Sequence, residues 1–140
     1  MSRFTPAEIE YLQSQRLGRL ATVNEHGDLH VVPVGFRYNS DEDTIDLGGH
    51  DIVPTRKYRE ALRHGRVAFV IDDFVPGQGP RFVEVRGTVR AVAEGGKAIS
   101  PNFAPAILRL TPTYIVSLGI NGEFAGPAAG PIPYHGRKVE

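Results

Sequence analysis

The sequence has no cysteine, no net charge and no long apolar run, and each absence excludes a class of protein. Without cysteine there is no disulfide, no thiolate metal site and no cysteine nucleophile. The 16 basic and 16 acidic residues cancel, so no overall field attracts the protein to nucleic acid or to an anionic membrane. We therefore expect neither partner, and any anion site must be local.

No stretch of about 18 consecutive apolar residues occurs, so no membrane-spanning helix is predicted. The opening segment, MSRFTPAEIEYLQ, lacks the apolar core of a signal peptide. These observations predict a cytoplasmic protein. Its 140 residues, 41% hydrophobic and 23% charged, have the length and composition of one soluble globular domain.

The residues that are present predict a mainly β (α+β) fold. A T-x-x-E capping box at Thr5 and Glu8, with Pro6 at the first helical position, predicts a helix that ends before Gly18. A second helix is expected at about 54–63. Alternation and turn signals predict strands over 18–24, 29–38, 44–48, 66–73, 82–92 and 114–120. Six short strands, mostly in hairpin order, indicate a closed or partly closed antiparallel β-barrel.

Two segments carry more specific expectations. The continuous apolar run in 66-RVAFVIDD-73 is typical of a strand that is buried on both faces. We assign residues 1–120 to the barrel domain and residues 121–140 to a Gly/Pro-rich tail without periodicity. The tail ends in 132-IPYHGRKV-139, which contains many ring and hydrogen-bonding groups, and we expect it to close over the substrate side of the site.

The stretch 54-PTRK-57 is the strongest local signal. The start of a helix has unsatisfied N–H groups and a partial positive charge, so cations are disfavoured there and anions are favoured. Thr55, Arg56 and Lys57 at this place are explained if a phosphate binds to them. The alternative is a solvated helix end, with Tyr58, Ala61 and Leu62 buried and the cations outside.

Two neighbouring features could hold a flat ligand. Gly48, Gly49 and His50 precede the helix; paired glycines allow close approach of the backbone, and His50 could donate to a ligand or act as a catalytic residue. The alternatives are a simple turn and a solvated histidine. Pro33 removes a ladder hydrogen bond within 32-VPVGF-36, which confines it to a sheet edge, a bulge or a place where a ligand faces the backbone.

Catalytic and metal motifs are absent from the sequence. The five histidines have no metal-ligand spacing, and no carboxylate accompanies them in a recognisable motif, so no metal is expected. No G-x-S-x-G, Walker A or G-x-G-x-x-G sequence is present. An anion site beside an apolar wall, without a nucleophile–base pair, suggests that a bound cofactor supplies the chemistry.

Four motifs taken in order carry a family resemblance: G-R-L-A-T-V, V-P-V-G-F-R-Y, T-I-D-L-G-G-H and T-R-K. With this spacing the chain resembles the pyridoxamine-phosphate-oxidase-like split β-barrels. Within them it is most similar to the deazaflavin (coenzyme F420)-dependent oxidoreductases, a branch that includes reductases of the dehydrotetracycline type. It departs from that branch by lacking a tryptophan before the fifth strand and by having Ser117-Leu118-Gly119 where many members have S-W-G.

The resemblance implies a homodimer with two cofactor sites at the subunit interface. It implies that Thr55, Arg56 and Lys57 hold the cofactor phosphate, and that Val32, Pro33, Val34 and Gly35 line the ring. Gly49 and His50 join them as cofactor-binding candidates on the ground of the paired glycines and the possible donor described above. The expected activity is transfer of a hydride from reduced F420 to an electron-poor C=C or imine. An FMN-dependent oxidase or reductase and a non-catalytic carrier of a flavin or deazaflavin are the alternatives. His50, Tyr38 and His135 are candidate proton donors.

Overall fold

The structure is a computed structural model that describes residues 1–124, 126, 130–131 and 134–140. Its helices are α1 (Pro6–Gln13), α2 (Arg56–His64) and α3 (Gly96–Ile99). None of them is long and apolar enough to cross a membrane. The strands are β1 (Leu17–Val23), β2 (Leu29–Asn39), β3 (Thr44–Gly48), β4 (Arg66–Val75), β5 (Gly79–Val92), β6 (Ile107–Leu118) and β7 (His135–Lys138).

Strands β1 to β6 form a closed antiparallel barrel, in agreement with the predicted fold class. The strand order is β3-β2-β1-β4-β5-β6, and an additional pairing of β3 with β6 completes the circle. The capping box at Thr5 and Glu8 is present as predicted. The prediction for β6 was too short, because the strand begins at Ile107 and runs through Pro112, which sits at a register shift opposite Gly87. Proline is tolerated at such an irregularity.

A buried ion pair holds the seam that closes the barrel. Asp46 on β3 lies opposite Arg109 on β6, and its carboxylate is fully buried. The Arg109 guanidinium donates from Nε to Oδ1 at 2.9 Å and from Nη2 to Oδ2 at 3.1 Å. Asn39 and Thr44 also donate to this carboxylate, so the buried charge has the full set of partners that it needs.

Each barrel strand has one face in the core and one outside. The core is filled by side chains such as Leu20, Ile45, Phe69, Val85 and Ile115, all fully buried. The prediction that β4 is buried on both faces was wrong for a single chain. Val67, Phe69 and Ile71 point into the core, whereas the alternate residues Ala68 and Val70 are only half buried.

The outside of β1, β2 and β4 carries an apolar surface, which we call the outer face. Ala21 on β1 lies between Val31 on β2 and Ala68 on β4. Val70 lies beside Ala68 on the same side of β4. Leu29 and Val31 are 81% and 66% exposed. This surface adjoins a shallow cavity of about 610 Å³ that is lined by Val31, Ala68 and Val70 among others.

Part of the Gly/Pro-rich tail folds onto the barrel. Strand β7 pairs with the second half of β6, from Tyr114 to Ser117. Arg137 on β7 reaches the buried Glu8 of α1, with Nη1–Oε2 and Nη2–Oε1 distances of 2.9 and 2.6 Å. The lid expectation stays a prediction: residues 132 and 133 lie outside the described residues, and the β7 residues pack on β6 and α1 of their own chain.

The Glu8–Arg137 pair predicts a pH-dependent contribution to stability. Burial raises the pKa of Glu8, but the bonds from Arg137 and from the Thr5 amide outweigh burial and hold that pKa below its usual value. Glu8→Gln keeps the capping box and removes only the charge. We expect it to lower the free energy of unfolding by about 1–2 kcal/mol at pH 7.

A group whose folded pKa is lowered stabilises the protein above its unfolded value, and this contribution is lost as the pH falls through the folded value. The difference between wild type and Glu8→Gln should therefore shrink below about pH 4.5. Urea unfolding at pH 7 and pH 3.5 measures this difference in the free energy of unfolding. Glu10→Gln, on the exposed side of α1, is the control. An equal difference at both pH values would contradict the assignment.

Candidate functional site

A pocket of about 380 Å³ lies where the start of α2 meets β1 and β2. Its wall is formed by Thr22 of β1, by residues 30–32 of β2 and by Thr55, Arg56, Lys57 and Glu60 at the start of α2. We call it the α2 pocket. It brings together Val32 and the T-R-K segment, which the sequence analysis assigned to one cofactor site.

The first turn of α2 presents free backbone donors to this pocket. The helix begins at Arg56, two residues later than predicted, because Thr55 is the N-cap in an extended conformation. The Thr55 hydroxyl accepts from the Tyr58 amide at 3.4 Å and donates to the Ile52 carbonyl. The amides of Arg56 and Lys57, the first of the helix, have no intrahelical acceptor.

Arg56 and Lys57 differ from the other cations of the same helix. Arg59 donates to the Pro54 carbonyl at 2.8 Å, and Arg63 donates to the Val23 carbonyl at 3.2 Å. Within residues 1–124, 126, 130–131 and 134–140, neither Arg56 nor Lys57 has a side-chain hydrogen bond or an ion pair. The charge of Arg56 contributes to lowering the pKa of Glu60, one turn further along the helix. Two cations without hydrogen-bonding partners at the positive end of a helix dipole nevertheless form an unfavourable arrangement that a bound anion would relieve.

A carboxylate with two hydrogen-bonding partners forms part of the pocket wall. Glu60 is 8% exposed. It accepts from the Thr22 hydroxyl at 2.8 Å, and His30 Nδ1 lies 2.9 and 3.0 Å from its two oxygens. Burial raises the pKa of the Glu60 carboxyl, but the bonds from His30 and Thr22 outweigh burial and leave that pKa below its usual value.

Sequence reasoning missed this cluster. Metal-ligand spacing and known histidine–carboxylate motifs are local, whereas His30 and Glu60 lie thirty residues apart and meet only in the fold. One signal was available: His30 and Val32 alternate on the same face of β2, and Glu60 follows Arg56 by one helical turn. Among the described residues no group of side chains is arranged to hold a metal ion.

The free edge of β2 forms a second wall beside the α2 pocket. β2 pairs with β1 from Leu29 to Gly35, but its pairing with β3 begins only at Gly35. The Phe36 amide donates to the carbonyl of Arg16, just before β1, so by antiparallel alternation the backbone groups of the even residues face β1 and those of the odd ones face away. The backbone groups of Val31 and the carbonyl of Pro33 therefore point to an edge without a strand partner. Pro33 lies at an edge, one of the places that its missing N–H allows.

Three other predicted site residues lie elsewhere in this chain. A Cβ on Gly35 would come within 2.7 Å of the Phe103 ring, so the segment after α3 covers this glycine. His50 Nδ1 lies 3.2 Å from the Asn102 carbonyl, and its ring packs edge-on against Phe103. Gly49 accepts a hydrogen bond from the Ala104 amide through its carbonyl. These residues do not line the α2 pocket.

The other candidate proton donors are also engaged. The Tyr38 hydroxyl donates to Asp43 at 2.7 Å, and burial raises the pKa of this phenol, which makes it a poorer acid. His135 Nε2 lies 3.5 Å from Glu123. Val34 is buried in the core behind the edge of β2. The α2 pocket can thus bind an anion and present backbone groups to a flat ligand.

Comparisons with known proteins agree with this geometry. The family model for pyridoxamine 5'-phosphate oxidase matches residues 4–114. A 5a,11a-dehydrotetracycline/5a,11a-dehydrooxytetracycline reductase from Streptomyces rimosus is 42% identical over 125 residues, with 87% of each chain covered.

Solved structures share the fold. An FAD-binding protein from Mycobacterium smegmatis has a TM-score of 0.63 at 24% identity, covering 81% of this chain and 93% of its own. A structure described as an F420 reductase has a TM-score of 0.58 at 24% identity, covering 76% of this chain and 94% of its own.

Proposed function

The chain belongs to the pyridoxamine 5'-phosphate oxidase family, and we propose that it is an oxidoreductase that uses reduced coenzyme F420 to reduce a small organic substrate. The substrate class is an electron-poor conjugated C=C or an imine. Support comes from the 42% identity to a dehydrotetracycline-type reductase along most of both chains. The structural observation that carries the proposal is the pair of unpartnered cations, Arg56 and Lys57, beside a free strand edge.

The residues present fit a cofactor that has a phosphate at one end and a flat ring at the other. Arg56 and Lys57, with their free amides, would hold the phosphate by charge-assisted hydrogen bonds. The edge of β2 at Val31 and Pro33 would offer backbone groups to the polar rim of the ring, and Val32, which lines the pocket, would lie beside it. When bound, the reduced deazaflavin supplies a hydride from C5 of its ring.

The protein's own contribution is position and exclusion of water. Binding the phosphate at α2 and the ring at β2 would fix the reacting atom of the cofactor relative to the substrate. The entropy of bringing the two reactants together is then lost on binding and not in the chemical step. Val31 and Val32 make part of the β2 side of the pocket aliphatic, so closing them over the ring would remove water from the reaction. The acceptor atom takes the hydride, and its neighbour takes a proton from solvent or from a group of the assembled site.

The cofactor prediction is tested by absorption after mixing and desalting. The protein is incubated separately with F420 and with FMN, passed through a desalting column, and its spectrum recorded. We expect the protein to retain F420 in preference to FMN. The spectrum shows which cofactor is bound, because deazaflavin and flavin rings absorb at different wavelengths. Preferential retention of FMN would replace the proposal by the FMN-dependent alternative. Retention of F420 without reduction of any conjugated ketone or imine would favour a carrier.

The phosphate site is tested by replacing one unpartnered cation. Lys57→Ala should weaken F420 binding by about 1.5–3 kcal/mol, roughly 10- to 150-fold, because a charge-assisted bond is lost. Arg63→Ala is the matched control, since Arg63 lies on the same helix but donates to the Val23 carbonyl at the other end. Fluorescence titration measures both affinities. Equal affinities in the two variants would mean that the start of α2 is a solvated helix end.

We also propose that the outer face is the interface of a homodimer. β4 has the sequence of a strand that is buried on both faces, yet Ala68 and Val70 are half exposed in one chain. Val31 lines both the α2 pocket and the outer-face cavity, so a partner on this surface would also close the side of the cofactor site. Exposed apolar patches with charged neighbours are typical of such interfaces.

Val31→Glu should convert the dimer to a folded monomer. Val31 is 66% exposed in one chain, so a charge there is harmless to the barrel but would be buried without a partner in the dimer. We expect light scattering to give half the mass, and cofactor affinity to fall at least tenfold. Ala91→Glu, an exposed position at the far end of β5, is the control. A wild-type monomer that retains F420 would contradict the shared-site model.

A further inference from the structure

The ring of His30 is held in one orientation by its neighbours. A carboxylate can only accept hydrogen bonds, so the contacts of 2.9 and 3.0 Å require that His30 Nδ1 carries a proton. The Thr22 hydroxyl, at 2.8 Å, fixes the carboxylate from the other side. The second ring nitrogen, Nε2, is therefore the one available to a ligand, and the His30 side chain lines the α2 pocket at 32% exposure.

The charge of the pocket depends on the protonation of His30. With a neutral imidazole, the two cations Arg56 and Lys57 and the carboxylate of Glu60 leave a net charge of one positive unit. With an imidazolium the net charge is two. A bound phosphate adds at least one negative charge next to the ring, so an anion in this pocket favours the protonated form.

We propose that His30 is a third donor to the cofactor phosphate, taking up one proton from solvent when the anion binds and donating from Nε2 to a phosphate oxygen. Glu60 and Thr22 are its positioning residues. The proton comes from water and returns to it when the cofactor leaves, so no other reactant is needed. This inference rests on the proposed function, because it requires that a phosphate-bearing cofactor occupies the α2 pocket.

The other charged groups around His30 are not expected to take up a proton when an anion binds. On the β1–β2 turn, Glu25 lies 3.4 Å from His26, and Asp28 is bonded by Asn24. On α2, Arg59 and Arg63 donate to backbone carbonyls. The charged or titratable residues that line the two pockets to which His30 contributes are Glu25, His26, Asp28, Arg56, Lys57, Arg59, Glu60 and Arg63. His26 is the other imidazole among them, and it is the natural control.

The expected signature is a pH dependence that only phosphate-bearing ligands show. An opposite charge within about 4–6 Å favours the charged form of a titrating group by tenfold or more. Because the proposed contact requires the protonated ring, the Kd for F420 should rise about tenfold between pH 6 and pH 8.5, where protons become scarcer. The deazaflavin alcohol, which has the same ring and ribityl chain but no phosphate, should bind with a Kd that is nearly constant over this range.

Three measurements test the inference. Fluorescence titrations at pH 6, 7.25 and 8.5 compare F420 with the deazaflavin alcohol, and FMN with riboflavin, a pair that differs by the phosphate alone. The same titrations are made on His30→Gln and His26→Gln. Calorimetry of the wild-type protein in two buffers of different ionisation enthalpy counts the protons taken up at pH 7.5, and this readout does not depend on the folding of any variant.

We expect proton uptake with F420 and none with the deazaflavin alcohol. We expect His30→Gln to bind F420 about tenfold more weakly at pH 6 and to lose the pH dependence, while His26→Gln behaves as wild type. A constant Kd for F420 in the wild-type protein, or uptake equal for both ligands, would overturn the role of His30 and leave the proposed function intact. No binding of F420 or FMN at pH 6 would overturn both.

Discussion

The closure of the barrel between β3 and β6 is the constraint on which the rest of the structure depends. The seam is short, and the buried Asp46–Arg109 pair with its polar partners lies in the middle of it. Once the circle is complete, the interior is filled by side chains at core density. A ligand as large as a flavin must then bind outside the barrel, where α2 and the unpaired edge of β2 make an external pocket.

The same closure explains why the two ends of the chain meet. The first half of β6 is used by β3 to complete the circle, and its second half keeps a free edge, which β7 occupies. Arg137 then lies over α1 and pairs with Glu8, a side chain that also completes the capping box. An arginine in the tail thereby neutralises a carboxylate that burial alone would destabilise. Removing the whole tail would consequently affect α1 as well as any lid.

Local signals predicted local structure well, and features that depend on tertiary contacts were the ones missed. The capping box at Thr5, the hairpin strands and the position of Pro33 each follow from a few adjacent residues. The first half of β6 was missed because Pro112 interrupts its pattern and is accommodated only by the register shift opposite Gly87. The cover that Phe103 gives Gly35 depends on where α3 packs. The pairing of His30 with Glu60 requires that β2 and α2 meet, which no motif encodes.

The cations at the start of α2 can now be understood together with Glu60. In an isolated helix, Arg56 and Lys57 would oppose the dipole, and a carboxylate one turn later would only partly offset them. In the fold, the oxygens of Glu60 are bonded to His30 and Thr22. Among the described residues neither Arg56 nor Lys57 forms an ion pair with it, so the donors of both cations remain for a ligand. In the empty site, Arg56 and Lys57 repel the positive end of the α2 dipole, which lowers the stability of the helix. A bound anion relieves this repulsion, so the lost stability reappears as affinity for the anion. The buried carboxylate is what makes this exchange tolerable: it lowers the positive charge of the empty pocket by one unit, and a protonated His30 would restore that unit when the anion arrives.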